Sequence, residues 1–445
     1  MNDYFCQMRL RLFLPISVII LAASCSKKTD HSKITLNNFI LSDCNTAIQN
    51  AIVVDHVSAP AGGRRYFYAC AAAYEALVPF QPGYRSLAGQ FRGLEPGPKP
   101  DTSKGYCLDL VALAAHTFAS KKLVYKEDSI NNFRERKLKW YKDRISEDQF
   151  ENSIAYGDSV GMHIIRWAKK DTFDQIRGRD FYNPSGIKGR WEPTSPDFSN
   201  AVEPNWRRIR PVLIPSANAF KIPNPEPFSR DKNSRFYTIT KQVYDEVQLK
   251  DSNHLRTALY WDDNPNTMVH RGHITVSLLK VSPAGHWLGM MSTLSKQQNF
   301  NLMQSAEGFV RFSAVMFDAF IACWDAKYQT DYIRPETAIR LLIDSNWSSP
   351  IQTPAFPEYP SGHSVVSTSV GTMSDTYYGK FEYIDSAELE FGLGTRKFTG
   401  ILDASKEACI SRLYGGIHFI DAIENGKKLG QQVGEYHLKH LITKE

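Results

Sequence analysis

Apolar residues recur three and four positions apart along most of this chain, the spacing of helices that bury one face. The pattern holds from about Ser32 to Lys170. Within it, Tyr66 to Leu77 is alanine-rich and runs up to Pro79, which predicts a helix ending just before the proline. Ile154 to Trp167 predicts another. From Arg177 to Phe236 the character changes, because nine of the 23 prolines fall here with aromatics and arginines between them. Proline at that density excludes regular helix, while Trp191, Phe198, Trp206 and Ile209 are too apolar for a linker. The segment predicts an ordered excursion packed over the helices. Helical spacing returns at about Tyr237 and is expected to hold almost to the end. Its longest apolar run, Phe312 to Trp324, is interrupted by Ser313 and Asp318 and predicts a buried helix. Runs of alternating β-branched residues joined by Asn-Gly or Asp-Gly are absent, so strands are expected to be sparse. The expectation is an all-α, helical-bundle fold. It has a leader over 1–25, a helical region over 26–180, the proline-rich excursion over 181–236 and a catalytic helical region over 237–445.

Composition changes this picture little. With 445 residues, 42% hydrophobic and 22% charged, the chain can bury one large core or two smaller ones. The net charge of +6 is modest and the basic residues are scattered, which speaks against a nucleic-acid-binding stripe. Any anionic partner is expected to be small. Cys44, Cys70, Cys107, Cys323 and Cys409 form no paired spacing, so neither a disulfide framework nor a zinc site is expected from them, and they read as small buried hydrophobes.

The beginning of the chain reads as an export signal. Arg9 and Arg11 precede an apolar stretch from Leu12 to Ala23, then Ser24-Cys25 and the polar Ser26-Lys27-Lys28. Small residues before a cysteine resemble a bacterial lipoprotein cleavage site with Cys25 as the lipidated residue, although Ala22 stands where leucine is commoner. Met8, directly before the basic pair, is an alternative start to Met1. A periplasmic or outer-membrane lipoprotein is expected, touching the membrane only through this anchor.

Three segments carry the chemistry: Lys327-x6-Arg334-Pro335, Pro360-Ser361-Gly362-His363, and Ser411-Arg412-x5-His418. They supply three cations, a hydroxyl, a glycine amide and two histidines. That set suits a tetrahedral or trigonal-bipyramidal oxyanion, to which arginine offers planar bidentate donors and lysine a point charge. Lys327 and Arg334, seven apart, are expected on one helix face, with Pro335 kinking or ending that helix. A lysine–arginine pair is ordinarily a solvated face, but Phe317, Phe320, Ile321, Cys323 and Trp324 make the approach to Lys327 apolar. Ser361 and Gly362 are expected at the start of a helix through Val370, where unpaired amides and the helix dipole favour an anion. Gly415 and Gly416 are expected to break the chain, so that Arg412 converges from a loop and His418 from a following helix. A lone histidine is usually a satisfied core residue. Beside three cations, His363 and His418 read instead as acid/base and as ligand or nucleophile.

These segments resemble the signature shared by vanadium-dependent haloperoxidases and the phosphatidic acid phosphatase type 2 superfamily, which includes bacterial acid phosphatases. The resemblance is strong over about 327–418. It is weaker over Tyr66–Leu77 and over Gly189–Pro211, with Trp191-Glu192-Pro193-Thr194 and Arg208-Ile209-Arg210-Pro211. It implies an all-α fold in which Lys327, Arg334, Ser361, Gly362 and Arg412 bind the oxygens of vanadate, a cage phosphate also fits. In the haloperoxidase version His418 is the vanadium ligand, His363 assists deprotonation of hydrogen peroxide, and Lys327 polarises the peroxide so that halide is oxidised to hypohalous acid. In the phosphatase version His418 attacks phosphorus and His363 protonates the leaving group. Trp324 and Phe356 resemble pocket aromatics of the haloperoxidases and favour that reading, with iodide or bromide ahead of chloride. A non-catalytic oxyanion-binding lipoprotein is the reading from a different class. The family often has an acid four positions after the last histidine, where this chain has Ala422; Asp421 and Asp325 are then the candidates to orient a histidine. His270, His273, His437 and His440 are expected to be surface or core residues.

Overall fold

The computed structural model of the protein describes residues 32–177, 181–389 and 392–445, so the segment read as an export signal, with Cys25, lies outside the described residues. Five helices make the first half: α1 (Ile40–Val54), α2 (Ala59–Leu77), α3 (Leu108–Leu123), α4 (Glu127–Lys142) and α5 (Glu147–Ala168), followed by the single turn α6 (Phe173–Ile176). The second half holds α7 (Arg235–Gln248), α8 (Ser252–Tyr260), α9 (Pro283–Gln297), α10 (Leu302–Thr330), α11 (Pro335–Leu342), α12 (Gly362–Tyr377), α13 (Ile401–Tyr414) and α14 (Ile420–His440). The expected all-α bundle is what forms, and α2 stops at Leu77 ahead of Pro79.

Helical spacing does not hold throughout after Tyr237. Two hairpins interrupt it: β3 (Met268–Arg271) with β4 (Ile274–Ser277), and β5 (Tyr383–Asp385) with β6 (Arg396–Phe398). A third pairing joins β1 (Lys33–Ile34) to β2 (Tyr106–Cys107) in parallel. The β3–β4 turn is Gly272-His273, with Gly272 at φ +59°. A glycine in the first turn position makes a tight hairpin as well as Asn-Gly does, which is why a search for Asn-Gly misses it.

α2 lies in the core between α3 and α10, and all but two of its residues are buried. α10 is the long central helix, opened by a capping box between Asn301 and Gln304 and closed by Asp331 in the left-handed conformation. Asp318, fully buried midway along it, explains the polar break in the apolar run. Its carboxylate accepts the backbone N–H groups of Val212 (2.9 Å), Leu213 (2.9 Å) and Ile214 (3.0 Å) and meets His437 Nε2 at 3.0 Å. One buried acid thereby fastens the proline-rich excursion and α14 to the central helix. Excursion residues Trp191, Trp206 and Ile209 are buried, whereas Phe198 is exposed. The five described cysteines are free and buried, as expected.

α12 packs against α14 backbone to backbone. A Cβ at Gly426, Gly430 or Gly434 would stand 3.0 Å from the Ser361 carbonyl, 2.4 Å from the Val365 carbonyl or 2.8 Å from the Ser369 carbonyl. Glycine every fourth residue gives α14 a flat face, and the α12 main chain lies on it. Among the described residues no helix is long and apolar enough to cross a membrane.

Candidate oxyanion site

The three segments meet at one place, but from elements other than those expected. α10 ends at Thr330, so Lys327 sits in its last turn while Arg334 lies beyond it as the residue before Pro335. Pro335 opens α11 rather than ending α10, a position where its missing N–H costs nothing. Ser361 caps α12, its hydroxyl accepting from Ser364 N at 3.3 Å, and His363 lies in the first turn. Arg412 comes from the last turn of α13 and His418 from the loop before α14, the reverse of the expected loop and helix. α13 keeps its helical geometry as far as Tyr414, and Gly416, at φ +71°, then turns the chain.

Main-chain carbonyls of one loop hold two of the cations. Lys327 Nζ donates to Pro357 O (3.0 Å) and Glu358 O (2.9 Å), and Arg334 Nε donates to Phe356 O (2.8 Å). Arg334 Nη1 reaches Ile417 O at 3.1 Å and lies 3.4 Å from His418 Nε2. Arg412 donates to Ser411 Oγ (3.1 Å) and Ala258 O (3.1 Å). All three cations are buried. Burial, with Arg334 adding to it, lowers Lys327 to about 7, and burial lowers Arg334 to about 10. Burial and then Arg334 hold His418 well below its ordinary value; burial and then Arg412 do the same for His363. Both imidazoles are therefore neutral near pH 7.

Sequence reasoning missed the residue that orients His418. Glu358 Oε1 meets His418 Nδ1 at 2.8 Å and also accepts Phe419 N at 3.0 Å. This fixes the ring with Nε2 facing Arg334. Asp421 is not that partner: it pairs with Arg235 at 2.6 Å on the outer side of α14. Nor is Asp325, which accepts from Gln329 at 2.6 Å and faces a separate groove with Arg190 and Phe228 on the far side of α10. The available signal was an acid inside Pro357-Glu358-Tyr359-Pro360, directly before the serine–glycine–histidine turn. Of the remaining histidines, His437 is buried on Asp318, while His270, His273 and His440 are exposed.

The site opens on a cavity of about 50 Å³ lined by Phe320, Trp324, Phe356, Gly362, His363 and His418. The Trp324 and Phe356 rings lie 5.1 Å apart, and Lys327 Nζ lies 5.0 Å from the Phe356 centroid. Trp324 Nε1 donates to Val202 O at 3.2 Å, so the excursion forms part of the rim.

Two features test whether these residues fit a tetrahedral oxyanion. Arg334 Nη2 and His363 Nε2 are buried donors or acceptors without a hydrogen-bond partner among the described residues. A Cβ at Gly362 would stand between Trp324 and Lys327, at 3.8 and 3.9 Å, in space that glycine keeps clear. The residues fit. One consequence concerns sulfate, whose charge does not change near neutrality. Its binding favours charged Lys327 and so takes up a proton wherever that amine is otherwise neutral. On this group alone, affinity is level below about 7 and falls roughly tenfold for each pH unit above it. Calorimetric titration of protein stripped of anions checks this, and an affinity unchanged from pH 6 to 9 would contradict it.

The geometry defines an all-α protein whose helix ends converge on an oxyanion cage. The family model described as the VCPO second helical-bundle domain matches residues 308–346 and 341–444. A solved structure described as the first bacterial vanadium-dependent iodoperoxidase superposes with a TM-score of 0.88 at 35% identity, covering 92% of this chain and 98% of that one. Holo and apo structures of a bacterial vanadium-dependent chloroperoxidase, each 18% identical, superpose with TM-scores of 0.69 and 0.64 and share the fold. They cover 93% and 85% of this chain and 98% and 93% of theirs. No curated protein sequence matches. The chain belongs to the vanadium-dependent haloperoxidase family and is an enzyme of the oxidoreductase type.

Proposed function

We propose that this enzyme uses hydrogen peroxide to oxidise iodide or bromide, in preference to chloride, with vanadate as its cofactor. The observation that carries the reading is the set of three buried cations and two neutral histidines facing a small, aromatic-lined cavity. Lys327, Arg334, Arg412, Ser361 and the Gly362 amide hold the oxygens, and His418 Nε2 is the vanadium ligand. Bound vanadate supplies a Lewis-acidic centre at which peroxide is activated towards a halide. Lys327 donates two of its three N–H groups to carbonyls, which leaves the third to hold an oxygen of vanadate when that group is bound. His363, neutral and hydrogen-bonded to the Trp261 backbone, takes a proton from peroxide. Asp263 Oδ2, 3.9 Å from His363 Nε2, then favours the imidazolium so formed. Trp324, Phe356 and Phe320 exclude water and favour the larger halides, which lose less hydration on entering an apolar wall. The likeness to the structure of a bacterial vanadium-dependent iodoperoxidase supports the same order. Phosphate competes for the cage.

The reading extends to an exported enzyme anchored by lipid at Cys25, supported by the segment Arg9 to Lys28. The catalytic proposal is tested on protein stripped of metal and phosphate. Iodide, bromide and chloride oxidation are followed with and without orthovanadate, beside hydrolysis of an aryl phosphate. The expected result is vanadate-dependent oxidation of iodide and bromide that His418→Ala abolishes. Ester hydrolysis inhibited by vanadate, without halide oxidation, would make the enzyme a phosphatase; tight oxyanion binding without turnover would make it a binding protein.

A further inference from the structure

Behind the cage lies a second buried cluster, which touches it only through Asp263, the acid that faces His363. Asp263, His286, Asp385 and Glu388 come from the loop after α8, from α9, from β5 and from the segment after β5, and all four are buried. His286 is fully enclosed, with the Trp261 ring stacked on it at 4.6 Å. Its Nε2 lies 2.9 Å from Asp385 Oδ2, which also accepts from the Tyr260 hydroxyl at 2.7 Å, while Asp385 Oδ1 accepts Ala387 N at 2.9 Å. Asp385 is thus a fully engaged acceptor that fixes the ring and holds the proton on Nε2.

The other ring nitrogen faces two acids. Asp263 Oδ1 is 3.0 Å from His286 Nδ1 and Glu388 Oε1 is 3.5 Å from it. The three ligand atoms lie within 4.8 Å of one another. One proton on Nδ1 serves one carboxylate, not both. Glu388 Oε1 accordingly has no hydrogen-bond partner among the described residues, though Glu388 is 96% buried. A divalent cation satisfies both acids and the Nδ1 lone pair together. Metal–ligand bonds of about 2.0–2.2 Å at tetrahedral angles place ligand atoms roughly 3.3–3.6 Å apart, close to the 3.0 and 3.5 Å that separate Nδ1 from the two acids. The arrangement in which Nδ1 binds and Nε2–H is held by a carboxylate is the usual support of a metal-bound imidazole.

We propose that Asp263 Oδ1, His286 Nδ1 and Glu388 Oε1 form a binding site for one divalent cation, with Asp385 orienting the imidazole. One imidazole with two carboxylates favours zinc over calcium or magnesium, which take oxygen ligands. The ion ties the segment after β5 to α9 and to the loop carrying Asp263. It stands whatever reaction the cage performs, since none of Lys327, Arg334, Ser361, Gly362, His363, Arg412 and His418 is a ligand.

The test uses the full chain unfolded in guanidinium with chelator and refolded with and without one equivalent of zinc. Zinc is expected to raise the Tm of the wild type and not that of Glu388→Gln, which keeps the shape of the side chain but is a much weaker ligand. Metal analysis of natively purified protein is expected to find about one zinc per chain in the wild type and in His418→Ala, and roughly tenfold less in Glu388→Gln. A wild-type Tm indifferent to zinc, or an equal rise in both proteins, overturns the proposal and leaves a protonated His286 bridging its acids. Where refolding fails, equal metal contents in wild type and Glu388→Gln overturn it in the same way.

Discussion

Asp318→Ala is expected to destabilise the protein by about 3–5 kcal/mol, a large fraction of the stability of an ordinary domain. The carboxylate accepts three consecutive backbone N–H groups, from Val212 to Ile214, and a histidine on α14. Alanine leaves the buried Val212 and Ile214 amides, the half-buried Leu213 amide and the buried imidazole without that acceptor, and each buried group so orphaned costs about 1–3 kcal/mol. Urea denaturation measures this as a lower midpoint with an unchanged slope. Asp318→Asn, which keeps an acceptor oxygen, is expected to recover part of the loss. A midpoint in Asp318→Ala close to that of the wild type would show that the excursion is held elsewhere.

The second large effect concerns Glu358→Ala, which is expected to weaken vanadate binding about 10- to 100-fold while Lys327, Arg334 and Arg412 remain. Glu358 touches no reacting atom; it positions His418 by accepting at Nδ1 and so leaves the Nε2 lone pair facing the cage. Glu358→Gln is expected to restore most of the affinity, because an amide oxygen accepts the same two hydrogen bonds. Equilibrium binding of vanadate, measured beside Tm, separates positioning from general destabilisation. Equal weakening in the alanine and glutamine variants would contradict the positioning role.

How much of this was legible in the sequence depends on the kind of residue. The cations and histidines of the cage are readable because each is an unusual type in an apolar setting, and their short segments keep characteristic spacings. The elements carrying them are less so. A separation of seven positions from Lys327 to Arg334 looks like two turns, but the helix stops where Asp331 adopts φ +48°, a conformation that periodicity does not register. Glu358 escaped because its bond to His418 spans 60 positions and nothing in the intervening chain marks it. The β3–β4 hairpin escaped because a two-residue turn and four-residue strands leave little pattern to detect, and the three-residue strands β5 and β6 leave less. The proline-rich excursion shows the opposite case: composition alone marks it as neither helix nor linker, while the acid that fastens it appears in the sequence only as a flaw in an apolar run.

The glycines of α14 bear on how such a site can change. Gly426 lies against the main chain of Ser361, and His418 enters only two residues before α14 begins, so peptide groups rather than side chains set the width between the two helix starts. Substitutions lining the cage can therefore alter its charge or its apolar lining while its span stays fixed. A single methyl group at position 426 would press on the cap of α12 and move apart the elements carrying Ser361 and His418. Specificity can drift here one side chain at a time, whereas size is inherited with the backbone.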